Sequence, residues 1–200
     1  MKGMSCIFIF LVRHGDYEDN KRAGWGDNKL TPKGQEQANA LGVVIKKNTS
    51  LNVGRIYSSD LMRSIETAEP TASALALPIY QRSDFRAPNN GVLANMAMVD
   101  ADLKYPNLHY YTLEYEEKYP NGESPREFWE RICCAWDVFV QEAMTIEGNC
   151  ILFSHSSVIR AVYCKVMGIE YNNKDNSKII EAELLPIEVK DDLVRCLFVI

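Results

Sequence analysis

The run Cys6-Ile7-Phe8-Ile9-Phe10-Leu11-Val12 is apolar at every position. A strand with one wet face alternates polar and apolar residues, so an unbroken apolar run with β-branched and aromatic members reads as a strand covered on both faces. That situation belongs to the inside of a parallel sheet flanked by helices. The run ends directly in Arg13-His14-Gly15 without a small-residue cleavage site, which makes it a buried strand and not a signal peptide. Nothing elsewhere approaches the roughly 20 apolar residues that span a bilayer. With 200 residues, 46% hydrophobic and 24% charged, the chain fits one domain over 1–200 in an ordinary soluble, and by default cytoplasmic, protein.

Strand and helix signals alternate along most of the chain. A loop rich in Gly, Asp and Asn covers 15–29, and Thr31-Pro32 then supplies an N-cap with proline in the first turn. Ala38, Leu41, Val44 and Ile45 continue at helical spacing, predicting a helix over 32–47. Residues 55–58 read as a second strand, with Asp60 placed to cap a helix carrying Leu61, Ile65, Ala68, Ala72 and Leu75. The stretch 81–122 breaks the rhythm with turn signals and tyrosines, and reads as an irregular insertion with at most one short helix. Ser124-Pro125-Arg126-Glu127 is a capping box that opens a helix faced by Phe128, Ile132, Trp136 and Phe139. A strand at 150–153, a helix over 158–167 ending at Gly168, and β-like edge segments between 178 and 200 complete an α/β pattern.

A net charge of -5 and a pI near 5.3 argue against a broad basic face for nucleic acid or anionic membrane, so any anion site must be local. The six cysteines contain no C-x-x-C and read as reduced thiols. Open α/β sheets bind ligands beyond the carboxyl ends of their strands. Arg13-His14-Gly15, Ser58 to Arg63, and Ser154-His155-Ser156 all follow strands. Two guanidiniums and two imidazoles on one rim suit a phosphate dianion. An imidazole can serve as nucleophile while arginines neutralise charge on the transferred group, with no metal required. His109, among the tyrosines of the insertion, reads as structural. A metal site from His14, His109 and His155 lacks an acidic residue at ligand spacing.

Leu11-Val12-Arg13-His14-Gly15, Leu30-Thr31-Pro32-Lys33-Gly34-Gln35, Ser58 to Ala68, Asn121-Gly122-Glu123-Ser124 and Ser154-His155-Ser156 occur in the order, and with the wording, of the histidine phosphatase superfamily, which is phosphoglycerate-mutase-like. The chain resembles its phosphatase branch. The resemblance implies a three-layer α/β/α sandwich on a mostly parallel sheet, with the 81–122 insertion over the active site. It implies His14 as the phosphorylated nucleophile, His155 as a second catalytic imidazole touching phosphate, and Arg13, Arg63 and Asn20 as phosphate-binding residues. It further implies a small phosphorylated substrate, no cofactor and no metal.

One position departs from the pattern. Relatives with similar text carry a proton-donating Glu in a Leu-Arg-Glu segment, and here Phe85-Arg86-Ala87 puts Ala87 at that place. Asp84, Asp16 and Glu123 are the candidate stand-in acids, and Arg86 is a further phosphate-ligand candidate. The expected activity is phosphomonoester hydrolysis through a phosphohistidine. A phosphoglycerate mutase is the second reading, disfavoured because the insertion lacks the mutase Tyr-Gly-Ala-Leu-Gln-Gly-Leu segment. A phosphate-binding or regulatory protein with weak turnover is the third, permitted by Ala87.

Overall fold

The computed structural model describes residues 6–175, 179, 181–190 and 193–197. Its elements are β1 (Cys6–Arg13), α1 (Pro32–Lys47), β2 (Val53–Ser58), α2 (Met62–Leu75), β3 (Ile79–Gln81), α3 (Met98–Lys104), α4 (Pro125–Ala143), β4 (Asn149–Ser154), α5 (Ser156–Met167), β5 (Leu185–Lys190) and β6 (Leu193–Cys196). The strands form one sheet in the order β3-β2-β4-β1-β5-β6. β3, β2, β4 and β1 run parallel, while β5 is antiparallel to β1 and β6 to β5.

The apolar run that opens the chain is covered on both faces. Ile7, Ile9 and Leu11 point into a core with Phe128, Ile132, Trp136 and Phe139 of α4 and Val158, Ile159 and Val162 of α5. Phe10 and Val12 point the other way, onto Leu41 and Ile45 of α1 and Ala68 and Ala72 of α2. Helices on both faces of a mostly parallel sheet make the three layers. Among the described residues, no helix is long and apolar enough to cross a membrane.

Local chemistry sets most helix boundaries. Thr31 accepts a hydrogen bond from the Gly34 N–H at 3.1 Å and Pro32 occupies the first turn. Ser124 and Glu127 make both bonds of the capping box, at 3.2 and 3.1 Å. Gly168, in the left-handed region at φ 66°, ends α5. The cap expected from Asp60 is not made. Leu61 is the N-cap of α2 without a side-chain bond, because Asp60 forms a two-pronged ion pair with Arg86, a stronger contact than a single cap bond. Arg86 is thereby occupied as well.

The insertion contains α3, two short 3-10 turns and a small core of Leu93, Leu113 and Tyr119. β3, just before it, was not legible as a strand: only Ile79, Tyr80 and Gln81 pair. In the tail, β6 is an edge strand, but β5 lies between β1 and β6 with Ile187 and Val189 fully buried. Residues 178, 180, 191–192 and 198–200 of the predicted tail segments lie outside the described residues.

Candidate active site

The ends of β1, β2 and β4 are stitched together just beyond the sheet. The His14 N–H donates to the Ser154 carbonyl at 2.9 Å, and the Ser59 N–H to the Phe153 carbonyl at 2.8 Å. This brings His14, Arg63 and His155 to one cavity of ≈ 220 Å³. A larger cavity of ≈ 680 Å³, walled by Trp129 and Tyr171, holds none of the chain's histidines.

His14 is 4% exposed and its Nδ1 lies 2.8 Å from the Gly15 carbonyl oxygen. A carbonyl only accepts, so Nδ1 carries the hydrogen and the lone pair of a neutral ring resides on Nε2. The ring is kept neutral: burial, then the charges of Arg63 and Arg13, hold its pKa well below the ordinary histidine value, against the opposing pull of the Gly15 bond. Gly15 is fixed in turn. Its N–H donates to Thr67 Oγ1 at 3.0 Å, and that hydroxyl donates to the Arg63 carbonyl at 2.7 Å. A Cβ on Gly15 would stand 2.8 Å from the Gly34 carbonyl oxygen, so the close approach of α1 requires glycine.

His155 sits with its ring centroid 5.1 Å from that of His14, as the N-cap of α5. Its Nε2 pairs with Ser59 Oγ at 2.9 Å, and its Nδ1 is buried without a partner. Burial, then Arg63, lower its pKa well below 6.5. Ser156 and Ser157, in the first turn of α5, join the wall, so the positive end of that helix faces the space beside His14.

Arg63, in the first turn of α2, is 2% exposed. It donates to the Gly24 carbonyl at 2.9 Å and the Gly26 carbonyl at 3.2 Å, and its guanidinium carbon lies 5.4 Å from the Tyr17 ring centroid. Burial lowers its pKa to about 10, which leaves it cationic at neutral pH. Its Nε is buried without a partner.

The other expected ligands are placed differently. Arg13 is not part of the cavity wall: its NH1 donates to the Ile179 carbonyl at 2.7 Å and pairs with Glu181 at 3.0 Å. Its charge still reaches both imidazoles. Asn20 is exposed, with its carbonyl accepting from Met98 N–H at 3.1 Å, and it also lies off the wall.

Ala87 does line the cavity. None of the three stand-in acids does. Asp84 is paired with Arg82 at 2.7 Å, Asp16 accepts from the Thr31 hydroxyl at 2.6 Å, and Glu123 is held by Arg131 at 2.6 Å. Among the described residues, the wall contains no Asp or Glu.

His109, expected as a structural residue, lines the same cavity, so all three of the chain's histidines share it, together with Arg22, Tyr17, Tyr110, Tyr111 and Tyr119. That it reaches the cavity wall was not legible from the sequence, where only a lone histidine among the tyrosines of the insertion was visible. Among the described residues, no three His, Cys, Asp or Glu side chains converge as a metal site.

The profile of the histidine phosphatase superfamily (branch 1) matches residues 9–199. A broad-specificity phosphatase of Saccharomyces cerevisiae is 31% identical over 188 residues, covering 88% of this chain and 76% of that protein. A 2,3-bisphosphoglycerate-dependent phosphoglycerate mutase of Cytophaga hutchinsonii is 25% identical over 161 residues, covering 77% and 74%. The crystal structure of the alpha-ribazole phosphatase from Shigella flexneri superposes with a TM-score of 0.80 at 19% identity, over 95% of this chain and 94% of that one, a likeness of fold.

Proposed function

The chain belongs to the histidine phosphatase superfamily (branch 1), and from that membership we propose that it hydrolyses phosphomonoesters through a phosphohistidine on His14, without a metal ion. Nε2 of His14 attacks phosphorus and the bond to the leaving oxygen breaks. Water then attacks the phosphohistidine, the P–N bond breaks, inorganic phosphate departs and the lone pair returns to His14. Arg63, His155 and the N-terminus of α5 neutralise charge on the phosphoryl oxygens during both steps. Arg13 contributes through its field on the imidazoles, and Asn20, which lies off the described cavity wall, is not used in this scheme. Residues 1–200 act as one domain, with 81–122 forming the wall over the site.

The observation that carries this reading is the Nδ1 contact to the Gly15 carbonyl in a buried, neutral His14, which leaves a lone pair free at Nε2. A binding protein with weak turnover is the second reading, favoured by the absence of a carboxylate from the wall. Hydrolysis of a panel of phosphomonoesters, with and without chelator, separates the two. Hydrolysis indifferent to chelator, with a base-stable, acid-labile phosphoryl adduct that disappears in His14→Asn, is expected. An adduct that persists in His14→Asn excludes this nucleophile, and activity lost to chelator and restored by a divalent ion excludes the metal-free step.

A further inference from the structure

The cavity has a cationic group that phosphoryl transfer does not use. Arg22 lines it and is anchored there: its N–H donates to the Met96 carbonyl at 2.8 Å, and its carbonyl accepts from Asn95 at 3.1 Å. The Arg22 side chain is 11% exposed and pairs through NH2 with Asp102 at 2.6 Å, while the side chain of Asp102 is 58% exposed. NH1 donates to His109 Nδ1, and His109 stacks on Tyr111 with ring centroids 5.1 Å apart. These contacts leave the Nε of Arg22 buried with no partner. A planar guanidinium with an unused buried N–H, in a wall without carboxylates, is incompletely satisfied.

We propose that Arg22, held in place by His109 and paired at rest with Asp102, is a specificity-determining residue that binds a second anionic group, a carboxylate or a second phosphate, on the leaving part of the substrate. The inference rests on the phosphatase reading above and narrows it. Arg63 and Arg22 line the same cavity of ≈ 220 Å³, a space that fits one small molecule carrying both anionic groups. Tyr17, Tyr110, Tyr111 and Tyr119 supply flat, amphipathic surface for the part between them.

The test is calorimetric and needs no turnover. Wild-type protein is titrated with inorganic phosphate, phenylphosphonate and 4-carboxyphenylphosphonate. The carboxylated ligand is expected to bind about tenfold or more tighter than phenylphosphonate, the size of a hydrogen bond to a charged group. Arg22→Met should erase that preference. Asp102→Asn, at an exposed position, frees Arg22 from a competing carboxylate and should enlarge it, which keeps the question answerable if Arg22→Met fails to fold. Equal affinity for the two phosphonates in wild type, a preference that survives Arg22→Met, or one that Asp102→Asn leaves unchanged overturns the inference. A fall in inorganic phosphate affinity in folded Arg22→Met places Arg22 on the phosphoryl group and also overturns it. Failure of wild type to bind phosphate at all is a different result, and removes the phosphate site along with everything built on it.

Discussion

Arg131 grips Glu123 with two nitrogens, Nε at 3.1 Å and NH2 at 2.6 Å. The same guanidinium reaches back to the segment opposite, donating to the carbonyls of Asp84 at 2.8 Å, Arg86 at 3.2 Å and Ala87 at 3.2 Å. Glu123 also accepts from the Asn89 N–H at 2.7 Å. One charged pair therefore pins the stretch that carries Ala87, and it removes Glu123 from the pool of proton donors.

Arg131→Met should cost stability on a scale set by that geometry. The side chains of Arg131 and Glu123 are 22% and 12% exposed, so removing Arg131 leaves a mostly buried charge on Glu123 and takes the Arg131 donor from the carbonyls of Asp84 and Arg86, while that of Ala87 keeps Trp25. A loss of about 3 kcal/mol is expected, read as a lower denaturant midpoint at unchanged slope. A shift within about 0.5 kcal/mol, the range of ordinary surface substitutions, would mean that the loop is held by other contacts.

Stability should also fall in acid for a reason located at the site. Burial holds His14 and His155 neutral, with folded pKa values well below 6.5. In the unfolded chain both rings take up a proton as pH drops through about 6.5. The unfolded state then binds more protons than the folded one, so folding weakens with falling pH, by up to about 1.4 kcal/mol per pH unit for each ring. Melting temperatures between pH 7.5 and 5 should decline in wild type and decline less in His14→Asn. Parallel declines in the two proteins would show that His14 is protonated inside the fold.

Arg63→Lys keeps the charge and loses the fork. An open rim would let the variant fold normally, but Arg63 is 2% exposed and a single ammonium is a poor replacement for its two separate bonds, to Gly24 and Gly26. Weaker inhibition by phosphate, by about tenfold, is expected together with a stability loss of about 1.5–3 kcal/mol, the scale of one hydrogen bond to a charged group. An unchanged inhibition constant for phosphate places Arg63 outside the pocket.

What the sequence made legible follows from how local each signal is. The apolar run into His14, the Thr31-Pro32 start and the Ser124 capping box are complete within a few residues, and each appears where it was expected. Asp60 shows the limit: a capping acid looks the same whether it bonds to its own helix or, as here, to Arg86 at a sequence distance of 26. Arg13 was placed by its neighbour His14, yet its side chain is claimed by Glu181 from the tail. Arg22 and His109 are 87 positions apart and come together only because the insertion folds back over the first loop, a tertiary event that no local pattern encodes.

Ala87 offers the most direct test of the chemistry. Ala87 lines the cavity, and its carbonyl is fixed by Trp25 Nε1 at 2.8 Å and by Arg131, so a longer side chain starts from a fixed backbone position. If the proposed hydrolysis holds, a wall without a carboxylate among the described residues leaves departure of an alkoxide without a carboxylic acid to protonate it, whereas an aryl oxide leaves without help. Wild-type turnover is therefore expected to rise steeply with leaving-group acidity, with p-nitrophenyl phosphate far ahead of alkyl phosphates. Ala87→Glu should raise alkyl-ester turnover by up to roughly 10²–10⁴-fold, the usual contribution of a positioned acid, and change the aryl rate much less. The neighbouring Arg63 charge favours the ionised form of the new carboxyl, so the gain should be largest in mildly acidic buffer and shrink as pH rises. Equal wild-type rates on alkyl and aryl esters would show that another group in the wall already supplies the proton, with His109 the first to replace. A folded Ala87→Glu variant without any gain on alkyl esters would show that position 87 does not face the leaving oxygen.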